Sequence, residues 1–255
     1  KIYTMSENRP FVLTIAGFDP SAGAGVLADV KTFEQLKTYG VAIPTAYTIQ
    51  TENRFIELEW VVIEKVLFQI ELFLKEYQIK AIKIGIVSSL SDLKLIIQKI
   101  RSIDSKVPII WDTVLKSTTE FSFLEIESQH DLEFILQSIQ LITPNNDEVL
   151  KLIPNAISVE ENLKYLRNHT AVLWKGGHKN ETKGTDVLFT KNNEITIHPT
   201  LENCSEKHGS GCVLSSAIAA YLSLGENLEE ACRKAKLYTE IILQSNSSKL
   251  AYHYV

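Results

Sequence analysis

The sequence predicts an α/β fold: a largely parallel sheet covered by helices on both faces, with a late antiparallel hairpin at its edge. Short apolar runs alternate with longer amphipathic ones along the 255 residues, the pattern of strand–helix units whose crossovers bury both faces of a sheet. Several apolar runs end on chemically useful residues, in AGFD, TIQTEN, KIG, WDT, TPNNDE and WKGGH. Right-handed crossovers bring ligand loops to that end of parallel strands. Near the carboxyl end, GTDVLFT and NEITIHP are joined through KNN and read as a hairpin.

Each element has its own signal. FVLTIAG is a buried strand. GVLADVKTFEQLKTYG is a helix, with Val26, Leu27, Val30, Phe33 and Leu36 on one face and Gly40 as its stop. VAIPTAYTI is extended, residues 61–77 are helical, and IKAIKIGIV is a strand. A helix near 90–101 precedes the strand VPIIWD; a loop and a helix near 129–137 precede IQLITPN. A helix near 158–168 leads to AVLWKGG, and after the hairpin two helices, roughly 209–224 and 227–243, finish the fold. No repeat, low-complexity tract or linker divides the chain. Residues 1–9, with the single methionine Met5, read as an N-terminal extension or cloning remnant, and 10–255 as one domain.

Composition excludes several classes. With 26 Lys+Arg against 31 Asp+Glu the net charge is −5, so there is no chain-wide basic footprint for nucleic acid. Even the most apolar stretch, VVIEKVLFQIELFLKEYQIKAIKIGIV, is broken by Glu and Lys, so no membrane span of ~18 apolar residues is expected. No secretory signal is visible. Three cysteines make no disulfide framework, and a reducing cytoplasm is the expected location.

The glycine-rich stretch AGFDPSAGAGVLADVKT has competing readings. Gly23–Ala28 matches a dinucleotide fingerprint, but Phe18–Ala22 intervene after the strand where the fingerprint sits directly at its end. A P-loop fails because Val30 replaces its second glycine. The others are a glycine turn that lets a small ligand approach backbone at a helix start, and a plain loop. In KHGSGCVLSSAIAAYLSLG, Gly209, Ser210 and Gly211 offer unobstructed backbone N–H groups at the positive end of a helix, suited to phosphate oxygens. Cys212 falls in the first turn, where the dipole lowers a thiol from about 8.5 toward neutrality and fits it to accept a substrate proton; the alternative is a small buried apolar residue. Cys204 and Cys232 read as structural.

Asn145 and Glu148 in TPNNDE, three apart at a helix start, read as a capping box. Functionally, Glu148 and the strand-end Asp112 could hold Mg²⁺ through oxygens or waters. Lys175, ending a strand before two glycines, is either a solvated lysine or a cation over transferring phosphate. His178, His198 and His208 lack metal spacing and read as satisfied loop histidines.

Taken together, TIAGFDPSAGAGVLADVKTFEQLKTYG, KIGIV, WDTVLKS, LITPNNDEV, VLWKGGH and KHGSGCVLSSAIAA span residues 14–220. In order and spacing they resemble the ribokinase-like superfamily, most closely the hydroxymethylpyrimidine/phosphomethylpyrimidine kinases of thiamin synthesis. The resemblance implies a three-layer αβα sandwich, a homodimer and the cofactors ATP and Mg²⁺. It places an anion hole on Gly209–Cys212, with Cys212 where many superfamily members carry a catalytic Asp. Lys175 falls on the family lysine that contacts ATP phosphates. Asp112 and Glu148 fall on metal-associated positions, and Gly17, Asp29, Gln50, Ile86 and Val114 on the pyrimidine pocket. The side-chain amide of Gln50 suits an aminopyrimidine edge, offering donor and acceptor. Ala22 replaces a common glycine, Ile86 a frequent methionine, the segment from Asp112 to Lys116-Ser117 is short, and the tail lacks a glycine-proline ending. The implied activity is phosphorylation of 4-amino-5-hydroxymethyl-2-methylpyrimidine and of its monophosphate, small-molecule partners only. The alternatives are a pyridoxal or pyridoxine kinase, a non-catalytic pyrimidine binder and, more distantly, a Rossmann oxidoreductase.

Overall fold

The computed structural model describes residues 8–116, 123–153, 158–176 and 184–254. Most of the N-terminal extension, the residues following Lys116 in DTVLKSTTEF, and Gly177 and His178 lie outside them. In order, the elements are β1 (Phe11–Phe18), α1 (Gly25–Gln35), β2 (Tyr39–Thr51), β3 (Arg54–Trp60), α2 (Ile63–Glu76), β4 (Ile79–Ile84), α3 (Leu90–Ile103) and β5 (Ile109–Trp111). There follow α4 (Gln129–Gln137), β6 (Leu141–Ile142), α5 (Asn146–Leu152), α6 (Val159–Arg167), β7 (Ala171–Trp174), β8 (Asp186–Phe189), β9 (Glu194–Ile197), α7 (Ser210–Ser223) and α8 (Leu228–Leu243).

One nine-stranded sheet runs in the order β3-β2-β1-β4-β5-β6-β7-β8-β9. The pairs from β2 through β1, β4, β5 and β6 to β7 are parallel, whereas β3 and the β8–β9 hairpin are antiparallel. Period-two alternation divides the core into two layers. Leu13, Ile15, Ile82, Ile84, Ile109, Trp111, Ile142 and Val172 face α2 to α6. Val12, Ala81, Ile110, Leu141 and Leu173 face α1, α7 and α8. The expected αβα sandwich results. Helix α7 is buried through most of its length, and Ala217, Ala219 and Ala220, none above 1% exposed, bring its backbone close to the sheet.

Two expectations need correction. Helix α1 ends at Gln35 rather than at Gly40; Lys37 takes a left-handed φ of 61° and the chain turns directly into β2. Gly40 is needed for close approach instead, because a Cβ there would stand 2.8 Å from the Phe33 ring. The sheet also has an antiparallel strand at both edges. Strand β3 has no glycine in its turn and an exposed, charged face (Arg54, Glu57, Glu59), which hides its apolar alternation.

Candidate active site

The start of α7, the β1–α1 turn and the ends of β4 to β7 converge. Gly209 caps α7 with φ +78°, and a Cβ on it would fall 2.0 Å from the Gly23 carbonyl oxygen. Gly25 opens α1 with φ +58°, and its Cβ would fall 2.1 Å from the Gly17 carbonyl oxygen. Both are conformations and contacts that only glycine accommodates, so the two glycine-rich motifs interlock. Val213 makes the first intrahelical bond, to the Gly209 carbonyl at 3.0 Å. The N–H groups of Ser210, Gly211 and Cys212 ahead of it form the open first turn that a helix start offers an anion.

Lys175 meets this turn. Just beyond β7, its N–H donates to the Pro144 carbonyl at 2.9 Å. Its ammonium lies 3.5 Å from where a Gly211 Cβ would be, so glycine leaves it room. Lys175 Nζ is 3.4 Å from Asp112 Oδ1 and 3.7 Å from Glu148 Oε2. Burial opposes its charge, but Glu148 and Asp112 outweigh burial and hold its pKa above the ordinary lysine value. Asp112 is fully buried and accepts from Thr143 Oγ1 at 3.0 Å and Ser215 Oγ at 3.1 Å. Burial pushes its carboxyl up, but Lys175, Lys83 and these hydroxyls overcome it and hold the pKa low. Glu148 Oε2 closes the capping box on the Asn145 N–H at 2.7 Å and accepts from Thr113 Oγ1 at 3.2 Å. Capping and site geometry therefore coexist in one side chain. Burial, with Asp112 adding repulsion against Lys175, leaves the Glu148 carboxyl above its usual range.

Among the described residues no group of three or more His, Cys, Asp or Glu side chains is arranged around a common metal position. Asp112 and Glu148 nevertheless fit Mg²⁺: two hard carboxylates share the single Lys175 ammonium, and burial, which holds the Glu148 carboxyl high, penalises a charge that a bound cation would help to stabilise. Mg²⁺ ordinarily uses one or two carboxylates, with waters and phosphates completing its shell.

The thiol expectation is reversed. Burial pushes Cys212 up to about 11; Lys83 and the Gly25 N–H work in the opposite direction, and Asp112 and Asp29 add to the rise. Asp29, expected in the pyrimidine pocket, is fully buried: Lys83 Nζ donates to both its oxygens at 3.0 and 2.9 Å, and Thr14 and Ser216 hydroxyls donate at 2.5 Å each. It presents no open carboxylate edge. The other pocket positions do line strand ends. A Cβ on Gly17 would meet the Ile86 side chain at 2.5 Å, and the Ile86 carbonyl accepts from Thr45 Oγ1 at 2.7 Å. Gln50, half-buried at the end of β2, donates from Nε2 to Thr48 Oγ1 at 2.9 Å. Val114 is half-buried, its N–H bonded to the Asp112 carbonyl at 2.8 Å.

Sequence reading missed Lys83 and the partner of His208. Lys83 had a signal: it is a charge inside the apolar strand IKAIKIG, at a position alternation assigns to the interior. His208, read as a satisfied loop histidine, has its partner in Asp19, pairing through Nε2 with Oδ2 at 2.8 Å. Asp19 also accepts from the N–H groups of Ser21 and Ala24 at 2.9 Å each. The Asp19–His208 pair thus joins the two glycine turns, which lie 189 residues apart, a distance no local pattern spans. Lys31, which a P-loop would need at phosphate, reaches back to the Ala22 carbonyl at 2.9 Å.

A parallel αβα sheet with its ligand residues gathered at the strand ends beside the late glycine turn is the plan of the ribokinase-like kinases, and that is the class to which this fold belongs. Residues 19–254 match the family described as phosphomethylpyrimidine kinase, and the chain belongs to that family. A hydroxymethylpyrimidine/phosphomethylpyrimidine kinase of Rhizobium meliloti is 32% identical over 89% of this chain and 87% of its own length. A bifunctional thiamine biosynthesis protein of Methanocaldococcus jannaschii is 31% identical over 95% of this chain, which spans 55% of that longer relative. The solved phosphomethylpyrimidine kinase of Clostridium difficile 630 superposes with TM-score 0.75 at 30% identity, covering 91% of this chain and 98% of that one. The ADP complex of Bacillus subtilis pyridoxal kinase superposes with TM-score 0.79 at 25% identity, covering 94% and 93%. No helix among the described residues is long and apolar enough to cross a membrane.

Proposed function

We propose that the chain transfers phosphoryl from ATP to the hydroxymethyl group of 4-amino-5-hydroxymethyl-2-methylpyrimidine, and then to the monophosphate so formed. The observation that carries this reading is the meeting of the Lys175 ammonium with Gly211 at the open first turn of α7. The amides of that turn receive phosphate oxygens, and Lys175, kept charged by its two acids, neutralises charge on the moving group. In-line transfer depends mainly on such positioning and charge neutralisation. Asp112 and Glu148 would hold Mg²⁺, which when bound offsets the phosphates' negative charge. Gly17 and Ile86 form a wall for a flat ring, and Gln50 supplies the donor and acceptor for its amino edge.

Cys212 takes the alcohol proton in this reading. The alcohol oxygen bonds to the γ-phosphorus, its proton passes to Sγ, and the bond from phosphorus to the bridging oxygen breaks to release ADP. Sγ must first be a thiolate, the form that Lys83 and the Gly25 N–H favour and burial opposes. A second reading, pyridoxal phosphorylation, has support in the shared fold of the pyridoxal kinases. The test is a panel of both alcohols with Mg-ATP, following the phosphorylation state of each product by mass. Mono- and diphosphorylated pyrimidine is expected. Transfer to pyridoxal alone would install the second reading, and ATP left unconsumed with every alcohol would end the kinase reading.

A further inference from the structure

Asp186 divides its two oxygens between the residue after Lys175 and helix α8. It opens β8 and is buried. Its Oδ1 accepts from the Gly176 N–H at 3.0 Å, and its Oδ2 accepts from Lys236 Nζ at 2.9 Å. A Cβ on Gly176 would fall 1.8 Å from the Thr185 carbonyl oxygen. The backbone just beyond Lys175 therefore lies flat against the entry to β8, an approach that only glycine permits.

Lys236 is itself braced. It is buried on α8, donates to the Gly184 carbonyl as well as to Asp186, and stands 3.6 Å from Glu240 Oε1. Glu240 Oε2 accepts from the N–H groups of Thr200 and Leu201 at 2.9 and 3.0 Å. Such a buried charge cluster is not in itself a gain in stability, because well-packed apolar residues often replace one without loss. What an apolar side chain at position 186 would lack is an acceptor for the Gly176 N–H. The Lys175 N–H is already bonded to the Pro144 carbonyl at 2.9 Å. The Lys175 main chain is thus held on both sides, by Pro144 before its Cα and by Asp186 after it. A long side chain magnifies any rotation of that segment, and a displacement of about 1 Å at a reacting centre can lower turnover on the order of 10²-fold.

We propose that Asp186, braced by Lys236, is a positioning residue for phosphoryl transfer: it fixes the Lys175–Gly176 peptide so that the Lys175 ammonium stands at the open first turn of α7. The inference rests on the reading of Lys175 as the cation at the moving phosphoryl group. Asp186 acts through the Gly176 N–H alone.

The experiment compares Asp186→Leu with Asp186→Asn. Both are made together with Lys236→Met and Glu240→Gln, so that no buried charge is left unpaired. The asparagine form keeps an amide oxygen for the Gly176 N–H, and the leucine form has none. Turnover and the KM for 4-amino-5-hydroxymethyl-2-methylpyrimidine are measured with Mg-ATP, well below either Tm, in chains with Lys175 and with Lys175→Ala. The leucine form is expected to lose about 10²-fold in kcat at an unchanged KM, and the asparagine form to recover most of that loss. With Lys175→Ala the two forms should turn over equally, because the residue being positioned is gone. Equal kcat for the two forms in the presence of Lys175 would overturn the proposal. So would a leucine-form loss that persists undiminished with Lys175→Ala; that outcome leaves the reading of Lys175 standing. Native turnover from Lys175→Ala alone would instead remove the reading of Lys175, and this inference with it. If the leucine form does not fold, Asp186→Ala in the same background takes its place, and failure of both to fold would make Asp186 a requirement of folding and overturn the proposal.

Discussion

Lys83 Nζ stands 2.9 Å from Asp29 Oδ2, and both side chains are completely buried. Through Thr14 and Ser216 the pair draws β1, α1, β4 and α7 onto one point beneath the glycine turns. Removing one member leaves the other as an unpaired buried charge. Lys83→Met is expected to cost about 3–5 kcal/mol by urea unfolding, and Lys83→Met with Asp29→Leu clearly less than the sum of the single changes. If Asp29 served the substrate instead, Asp29→Asn would raise KM and leave the urea midpoint unmoved.

Gly209→Ala tests the interlocked turns. The methyl would lie 2.0 Å from the Gly23 carbonyl oxygen at a φ of +78°. The left-handed conformation alone costs about 1–2 kcal/mol, and the Gly23 turn must move as well. A fall in Tm with loss of nucleotide affinity is expected by calorimetry; unchanged affinity would separate the turn from phosphate binding.

Cys212 carries two expectations. Cys212→Ala should lower turnover about 10²–10⁴-fold if the thiol is the proton acceptor, and unchanged turnover removes that role. With its pKa pushed up to about 11 in the unliganded protein, alkylation of Cys212 by iodoacetamide should be slow at neutral pH and still accelerating above pH 10. A rate that levels off near neutrality would show a thiolate stabilised far beyond this geometry.

The two acids around Lys175 should answer oppositely to neutralisation. The Asp112 carboxyl is held low, because Lys175, Lys83 and its hydroxyl partners overcome the effect of burial. Its stabilisation is complete above the ordinary aspartate value of about 3.9 and fades as pH falls through the lower folded value. Glu148 is held high by burial; its contribution is present below the ordinary value of about 4.3 and is lost as pH rises through the folded value. Asp112→Asn should therefore lower Tm at pH 7, whereas Glu148→Gln should leave it level or raise it, while both reduce turnover. A larger loss of Tm from Glu148→Gln than from Asp112→Asn would contradict this assignment of charges.

Much of the architecture was legible because periodicity is local. The alternation of Leu13 and Ile15 against Val12, or of Ile82 and Ile84 against Ala81, states which face each side chain covers. The Asn145–Glu148 spacing announced its own cap. Strand β3 escaped notice because an edge strand with one solvated face carries little hydrophobic signal. Gly40 misled because a glycine placed for close packing against Phe33 looks the same in sequence as a helix stop. Within the site, Lys175, Asp112 and the Gly209–Cys212 turn were recognisable as strand-end and helix-start residues.

By itself, then, the chain determined its layers, its strand-end chemistry and its kinship, because these rest on spacing between near neighbours. Only the tertiary structure decided that Asp29 answers Lys83, that Asp19 answers His208, and that the Cys212 thiol is raised rather than lowered. Each of those depends on burial and on the charge of partners from distant segments, and neither quantity exists until the sheet has brought those segments together.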